Sequence, residues 1–104
     1  MNFSLKRYFK TMLEKDVEKY FNKRIEEIGG LTMKFVSPNK NGVPDRIVLF
    51  SGGVHFVELK KPGEKPRPLQ IKVHKEFEEQ GIPVTTIDTK EGVDDFVKMI
   101  TEKD

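Results

Sequence analysis

Two acids and a lysine, Asp45, Glu58 and Lys60, stand at the ends of two apolar runs in the stretch 43–60, VPDRIVLFSGGVHFVELK. Residues 46–50 and 54–59 are β-branched, aromatic and aliphatic, and Ser51-Gly52-Gly53 between them is a turn signal, so the stretch reads as a β-hairpin. A two-residue turn at Ser51-Gly52 sets Asp45 opposite Glu58. A turn at Gly52-Gly53 sets Asp45 opposite Lys60 and diagonal to Glu58. In either register side chains alternate with period two, so Asp45, Ile47, Leu49, Val54, Phe56, Glu58 and Lys60 share one face.

Opposed Cβ atoms in a ladder lie about 4.5–5.5 Å apart. Two carboxylates that close, at the end of an apolar face, repel unless a cation lies between them. A hard divalent ion with oxygen ligands fits, and Mg²⁺ takes one or two carboxylates together with substrate phosphates. Lys60 points the same way, where its ammonium can neutralise a phosphate or orient a water. An arbitrary E-x-K is ordinarily a surface ion pair of little weight. Here the carboxylates finish two apolar strands, and an Asp stands in register upstream. No Cys or suitably flanked Ser offers covalent catalysis, and two histidines far apart in the chain do not suggest a zinc site.

The chain has 104 residues, the size of one domain with one modest core. Charged residues make up 35% and hydrophobic ones 36%, which predicts a small core under a highly charged surface. Net charge is only +2, so attraction to nucleic acid must come from local basic patches. The absence of cysteine fits a reducing compartment. No apolar run approaches the ~20 residues of a membrane span, and MNFSLKRYFK lacks the apolar centre of a signal peptide. The expectation is a cytoplasmic protein.

The elements that must position the three residues follow from periodicity. Residues 1–10 form a short arm or an early helical turn, with Phe3, Tyr8 and Phe9 able to cover a patch or a partner subunit. Residues 11–28 form a helix opened by a Thr11–Glu14 capping box, striped by Leu13, Val17, Tyr20, Phe21, Ile25 and Ile28, and stopped by Gly29-Gly30. Glu14 and Glu18 lie one turn apart, and either can lean over the sheet. Residues 31–37 form a short strand, and a turn-rich loop delivers the chain to Gly42, Pro44 and Asp45. Lys34, Lys40 and Arg46 make that region basic.

The hairpin's other face, with Arg46, Val48, Phe50, His55, Val57 and Leu59, is also largely apolar, so the sheet should be covered on both sides. His55, facing away from the acids, reads as structural. Residues 61–68, KPGEKPRP, add Lys61, Lys65 and Arg67, suited to phosphate contact. Residues 69–80 form a helix that buries Leu69, Val73 and Phe77 and turns Gln70 towards the sheet. Residues 83–87 form a strand parallel to 54–59 through a right-handed crossover. Residues 91–101 form the last helix, with Val93, Phe96, Val97 and Ile100 inward. The order is α-β-β-β-α-β-α.

Taken together, Glu18 (or Glu14), Gly42-Val43-Pro44-Asp45, Glu58-Leu59-Lys60 and Gln70 resemble the PD-(D/E)XK nuclease superfamily. G-x-P-D with the trailing Gln resembles in particular the virus-type replication-repair nuclease (VRR-NUC) domain, in its small stand-alone phage or bacterial form, over nearly the whole chain. The resemblance implies an α/β restriction-endonuclease-like fold, a mixed sheet flanked by helices, with residues 1–104 as one domain. It implies a homodimer that hydrolyses DNA phosphodiester bonds with Mg²⁺ or Mn²⁺, often at branched DNA such as Holliday junctions or flaps. Asp45 and Glu58 would bind the metal with help from the Leu59 carbonyl. Lys60 would position water or steady the transition-state charge, and Gln70 would brace Lys60 or a phosphate. Glu18 would be the first-helix acid, with Glu14 the alternative. Lys40, Arg46, Lys61, Lys65 and Arg67 are the expected DNA contacts. Two rival readings remain. A non-catalytic DNA-binding module on this fold would have lost the Asp, Glu or Lys, and all three are present. In a regulatory or assembly module the three would form an inert ion network.

Overall fold

The hairpin forms the middle of a four-stranded sheet of order β1-β2-β3-β4. The computed structural model describes residues 3–102, and for 3–14 the backbone path alone. Along the chain run α1 (Phe3–Glu27), β1 (Leu31–Lys34), β2 (Arg46–Phe50), β3 (Gly53–Leu59), α2 (Pro68–Glu79), β4 (Val84–Ile87) and α3 (Lys90–Thr101). The expected α/β order is the observed one. β1, β2 and β3 pair antiparallel, and β3 pairs parallel to β4, with α2 carrying the crossover.

The turn settles the register. Ser51 and Gly52 both have positive φ, 47° and 83°, as a type I′ hairpin turn requires. Phe50 therefore faces Gly53, and the ladder runs back to Arg46 opposite Val57. One step further brings Asp45 opposite Glu58.

α1 and α3 pack on one face of the sheet. Val17, Phe21 and Ile25 meet Val93, Phe96, Val97 and Ile100 over Val48, Val57 and Ile87. His55 belongs to this layer, edge-on to Phe96 with ring centroids 5.8 Å apart, which fits the structural part expected of it. α2 lies on the other face, where Phe56 meets Phe77 edge-on at 5.1 Å and Phe35 at 5.5 Å.

Several elements depart from expectation. α1 begins at Phe3, so Thr11 lies inside the helix and does not cap it. The preceding FSLKRYFK has no Gly or Pro, and extending a helix is easier than nucleating one. The side chains of Phe3, Tyr8, Phe9 and Glu14 lie outside the described residues. β1 ends at Lys34, with one more sheet-like bond from the Phe35 N–H to the Asp45 carbonyl at 2.8 Å. On α2 the buried residues are Gln70, Val73 and His74, while Leu69 is 49% exposed. The stripe is rotated because the strand end beneath it offers polar partners. The second face is covered in part only: Leu31, Met33 and Val54 stay exposed beyond the reach of α2.

Gly42, which leads into Pro44 and Asp45, has φ +86°, and a Cβ there would sit 3.0 Å from the Leu69 carbonyl oxygen and from Val73 Cγ2. Gly52 has a similar φ of +83° but open space around it. Gly52→Ala should therefore cost only the left-handed backbone penalty of about 1–2 kcal/mol. Gly42→Ala should cost more, each further kcal/mol lowering Tm by about 4–8 °C. Equal melting temperatures for the two variants would contradict close packing of the 42 loop on α2.

Candidate active site

Among the described residues the buried polar and charged side chains are Arg46, Glu58, Gln70 and His74, all at one end of the sheet. Glu58 is the most deeply buried, 3% exposed, at the penultimate position of β3 where strand alternation turns it under α2. Its Oε2 accepts from Gln70 Nε2 at 3.2 Å and lies 3.6 Å from Lys60 Nζ. Its Oε1 lies 3.6 Å from His74 Nε2, and neither of those two atoms has a hydrogen-bond partner.

Gln70 joins helix to site. Its Oε1 accepts from Lys60 Nζ at 2.9 Å and from the Arg67 backbone N–H at 2.8 Å. The amide that ties down the first turn of α2 thus also fixes the lysine. The backbone of Lys60 is anchored too, its N–H donating to the Ile87 carbonyl of β4 at 2.9 Å. Glu64 Oε1 lies 3.7 Å from Lys60 Nζ on the outer side.

Asp45 follows the buried Pro44; its carboxylate oxygens accept long bonds from the Leu59 N–H, 3.3 and 3.4 Å, and its carboxyl is within hydrogen-bonding reach of that of Glu58. Burial, with Glu58 beside it, pushes the Asp45 carboxyl up to about 6. Burial raises Glu58 as well, against the opposing pull of Lys60. Burial lowers His74, which keeps its imidazole neutral at pH 7. A cleft of about 370 Å³ opens beside this cluster, bordered by Glu18, Lys34, Asp45, Arg46, Leu59 and Lys60.

Asp45, Glu58, Leu59, Lys60 and Gln70 are therefore brought together. Glu18 reaches the same cleft from the α1 side of the sheet, with its carboxylate 2.9 Å from Arg46 Nη2. Arg46 is thereby neutralised at the cleft edge. Lys40 lies elsewhere: it pairs with Glu76 of α2 at 2.9 Å and borders a different hollow, beside Phe56 and Phe77. Lys61, Lys65 and Arg67 lie on the segment that links Lys60 to α2. Sequence reasoning passed over His74. Its signal was the spacing from Gln70, four residues and one helical turn, which puts both on one face.

No group of three or more His, Cys, Asp or Glu side chains able to hold a metal occurs among the described residues, so a zinc-type cage is not formed. The donors that do converge are the Asp45 and Glu58 carboxyl groups, and Oε1 of Glu58 has no hydrogen-bond partner. The two carboxyl groups make a hard, partial oxygen set. That set fits Mg²⁺ or Mn²⁺, which keep several waters and share substrate oxygens.

A mixed four-stranded sheet between helices, with an Asp, a Glu and a Lys at its end, defines a restriction-endonuclease-like nuclease domain. No family model matches the chain. A relative from Acyrthosiphon pisum secondary endosymbiont phage 1, named "Putative nuclease p44", is 43% identical over 79 residues, covering 75% of this chain and 85% of the relative. A solved structure described as a VRR_NUC domain superposes with a TM-score of 0.75 at 35% identity, covering 88% of this chain and 97% of that one. The chain belongs to the VRR-NUC family of nucleases.

The raised Asp45 carboxyl has a consequence for stability. Its folded value of about 6 lies above the ordinary 3.8, so the native state holds this proton more tightly than the unfolded chain does. The resulting stabilisation is complete below about pH 4 and is lost as pH rises towards about 6. Asp45→Asn should raise the urea midpoint above about pH 7 and flatten the profile between about pH 4 and 6. A variant less stable than the parent at neutral pH would show that the carboxylate is not held under strain.

Proposed function

We propose that the chain is a metal-dependent DNA endonuclease that hydrolyses phosphodiester bonds and selects branched or otherwise structured DNA. The observation that carries this reading is the convergence of Asp45 and Glu58 beside Lys60, with Gln70 bridging the last two and with Asp45 and Lys60 bordering an open cleft. Asp45, Glu58 and the Leu59 carbonyl are the groups that would hold Mg²⁺ or Mn²⁺. The ion, when bound, supplies a lowered water pKa and charge neutralisation at the scissile phosphate.

The protein's own contribution is positional. Gln70 holds the Lys60 ammonium with N–H donors left for an attacking water or a phosphate oxygen. A donor fixed in advance needs no reorganisation as charge develops on the phosphate. Lys61, Lys65 and Arg67 extend positive charge along the backbone track. Glu18, paired with Arg46, stays at the cleft edge, where it can support the acid pair. The reading also takes residues 1–104 as one domain acting as a homodimer in the cytoplasm of a phage host or bacterium. It rests there on family likeness and on the lack, among the described residues, of a helix long and apolar enough to cross a membrane.

A panel of junctions, flaps, splayed arms and plain duplexes, incubated with Mg²⁺, Mn²⁺ or EDTA, tests this directly. Cleavage of the branched substrates should need the ion and vanish in EDTA. Lys60→Ala should lower the rate by about 10²–10³-fold, the typical cost of losing one preorganised charge-stabilising donor. Product that persists in EDTA would refute metal dependence, and binding without product under every metal would favour a non-catalytic module. Replacing Lys65 with Ala should weaken binding to all substrates alike and reduce the slope of log K against log salt by about 1.

A further inference from the structure

We propose that His74 is a positioning residue of this site: its Nε2–H holds Oε1 of Glu58 as Gln70 Nε2 holds Oε2, so that α2 fixes both oxygens of the carboxylate that binds the divalent ion. The inference rests on the reading of Glu58 as a metal ligand.

His74 and Glu58 are both buried, 8% and 3% exposed, and the two atoms that face each other are both without partners. Leaving a buried donor or acceptor unpaired costs about 1–3 kcal/mol. Native interiors therefore rarely hold one, and two facing each other are rarer still. Their separation of 3.6 Å exceeds a good N–H···O bond by about 0.6 Å. Hydrogen bonds in active sites are often long before the site is loaded and tighten afterwards.

The chemistry of the two groups matches. A neutral imidazole carries one N–H, and the nitrogen facing a carboxylate is the one best served by it. A carboxylate oxygen has two lone-pair sites, so Oε1 can accept from His74 and still present an electron pair to a cation. The placement is periodic as well: Gln70 and His74, one turn apart on α2, reach the two oxygens of a single carboxylate. Partners of this kind orient metal-binding carboxylates and typically change metal affinity 10–100-fold.

The test separates donor from filler. Glutamine places an amide N–H near the Nε2 position, whereas leucine fills the volume and donates nothing. Mn²⁺ binding to the full chain is measured by titration calorimetry, together with the electron paramagnetic resonance spectrum of the bound ion. His74→Gln should keep affinity within about 3-fold and His74→Leu should lose about 10–100-fold, although Leu fills a similar volume. A Leu variant that binds like the parent, or a Gln variant as weak as Leu, overturns the proposal. Should the Leu variant not fold, the long-range ¹H–¹⁵N spectrum of the unmutated protein decides. The proton should sit on Nε2 and move downfield when Mg²⁺ saturates the site, and a proton on Nδ1 overturns the proposal. If the unmutated chain binds no Mn²⁺, the metal reading of Asp45 and Glu58 fails first, and the part assigned to His74 falls with it.

Discussion

Two carboxyl groups, those of Asp45 and Glu58, are held side by side at the end of the sheet and largely out of water, which raises both. Isolated in solution they would separate. The hairpin prevents this, because Asp45 immediately precedes β2 and Glu58 lies on the paired β3, and their register is set by a turn with positive φ at both central residues. A slip of one residue would send one acid to the opposite face. The phrase Gly-Val-Pro-Asp adds to the constraint. Gly42 lets the loop pass tightly over Leu69 and Val73, and Pro44 is buried just before Asp45.

The two faces of the sheet divide the work. The α1–α3 side carries most of the apolar core, and stability is concentrated there. The α2 side is thinner at this end and admits Gln70 and His74 in place of aliphatic residues. Alternation along β2 explains how neighbours in sequence serve different layers. Asp45 turns towards Glu58, while Arg46 turns under α1 and meets Glu18 at 2.9 Å. A guanidinium so nearly buried needs a counter-charge, and removing its partner would leave a costly unpaired charge. The Glu18–Arg46 pair therefore pins α1 to the very strand end that carries the acid pair.

Much of this was legible from periodicity. Period two sorted the hairpin into its two faces, and the helical stripes picked out Val17, Phe21 and Ile25 on one helix and Val93, Phe96, Val97 and Ile100 on another as buried. What stayed hidden depended on partners remote in the chain. Both Ser51-Gly52 and Gly52-Gly53 can turn a hairpin, and only the backbone distinguishes them. Leu69 looked buried by hydropathy. The stripe is rotated because Glu58, twelve residues from Gln70, draws an amide and an imidazole beneath α2. The capping pattern at Thr11 was real as a pattern but had no helix start to serve, since the helix already extends back to Phe3. Lys40 looked like part of a basic loop, yet its ammonium is taken by Glu76 on the flank of α2.

These pairings also decide which charges the cleft presents to a polyanion. Arg46 is balanced by Glu18, and Lys60 is engaged by Gln70 with Glu58 and Glu64 close by. Local attraction therefore falls to Lys34 at the rim and to the basic residues between Lys60 and α2. Against them stands the acid pair, which repels phosphate whenever both members are ionised. The pair sheds that charge by holding a proton only in mildly acidic solution, below the Asp45 value of about 6. On the proposed reading, Asp45 and Glu58 would hold a divalent ion, which would cancel the negative charge of the pair beside the cleft. Proton, metal and nucleic acid then compete or cooperate through the same two carboxylates, and by linkage each must alter the affinity of the site for the others.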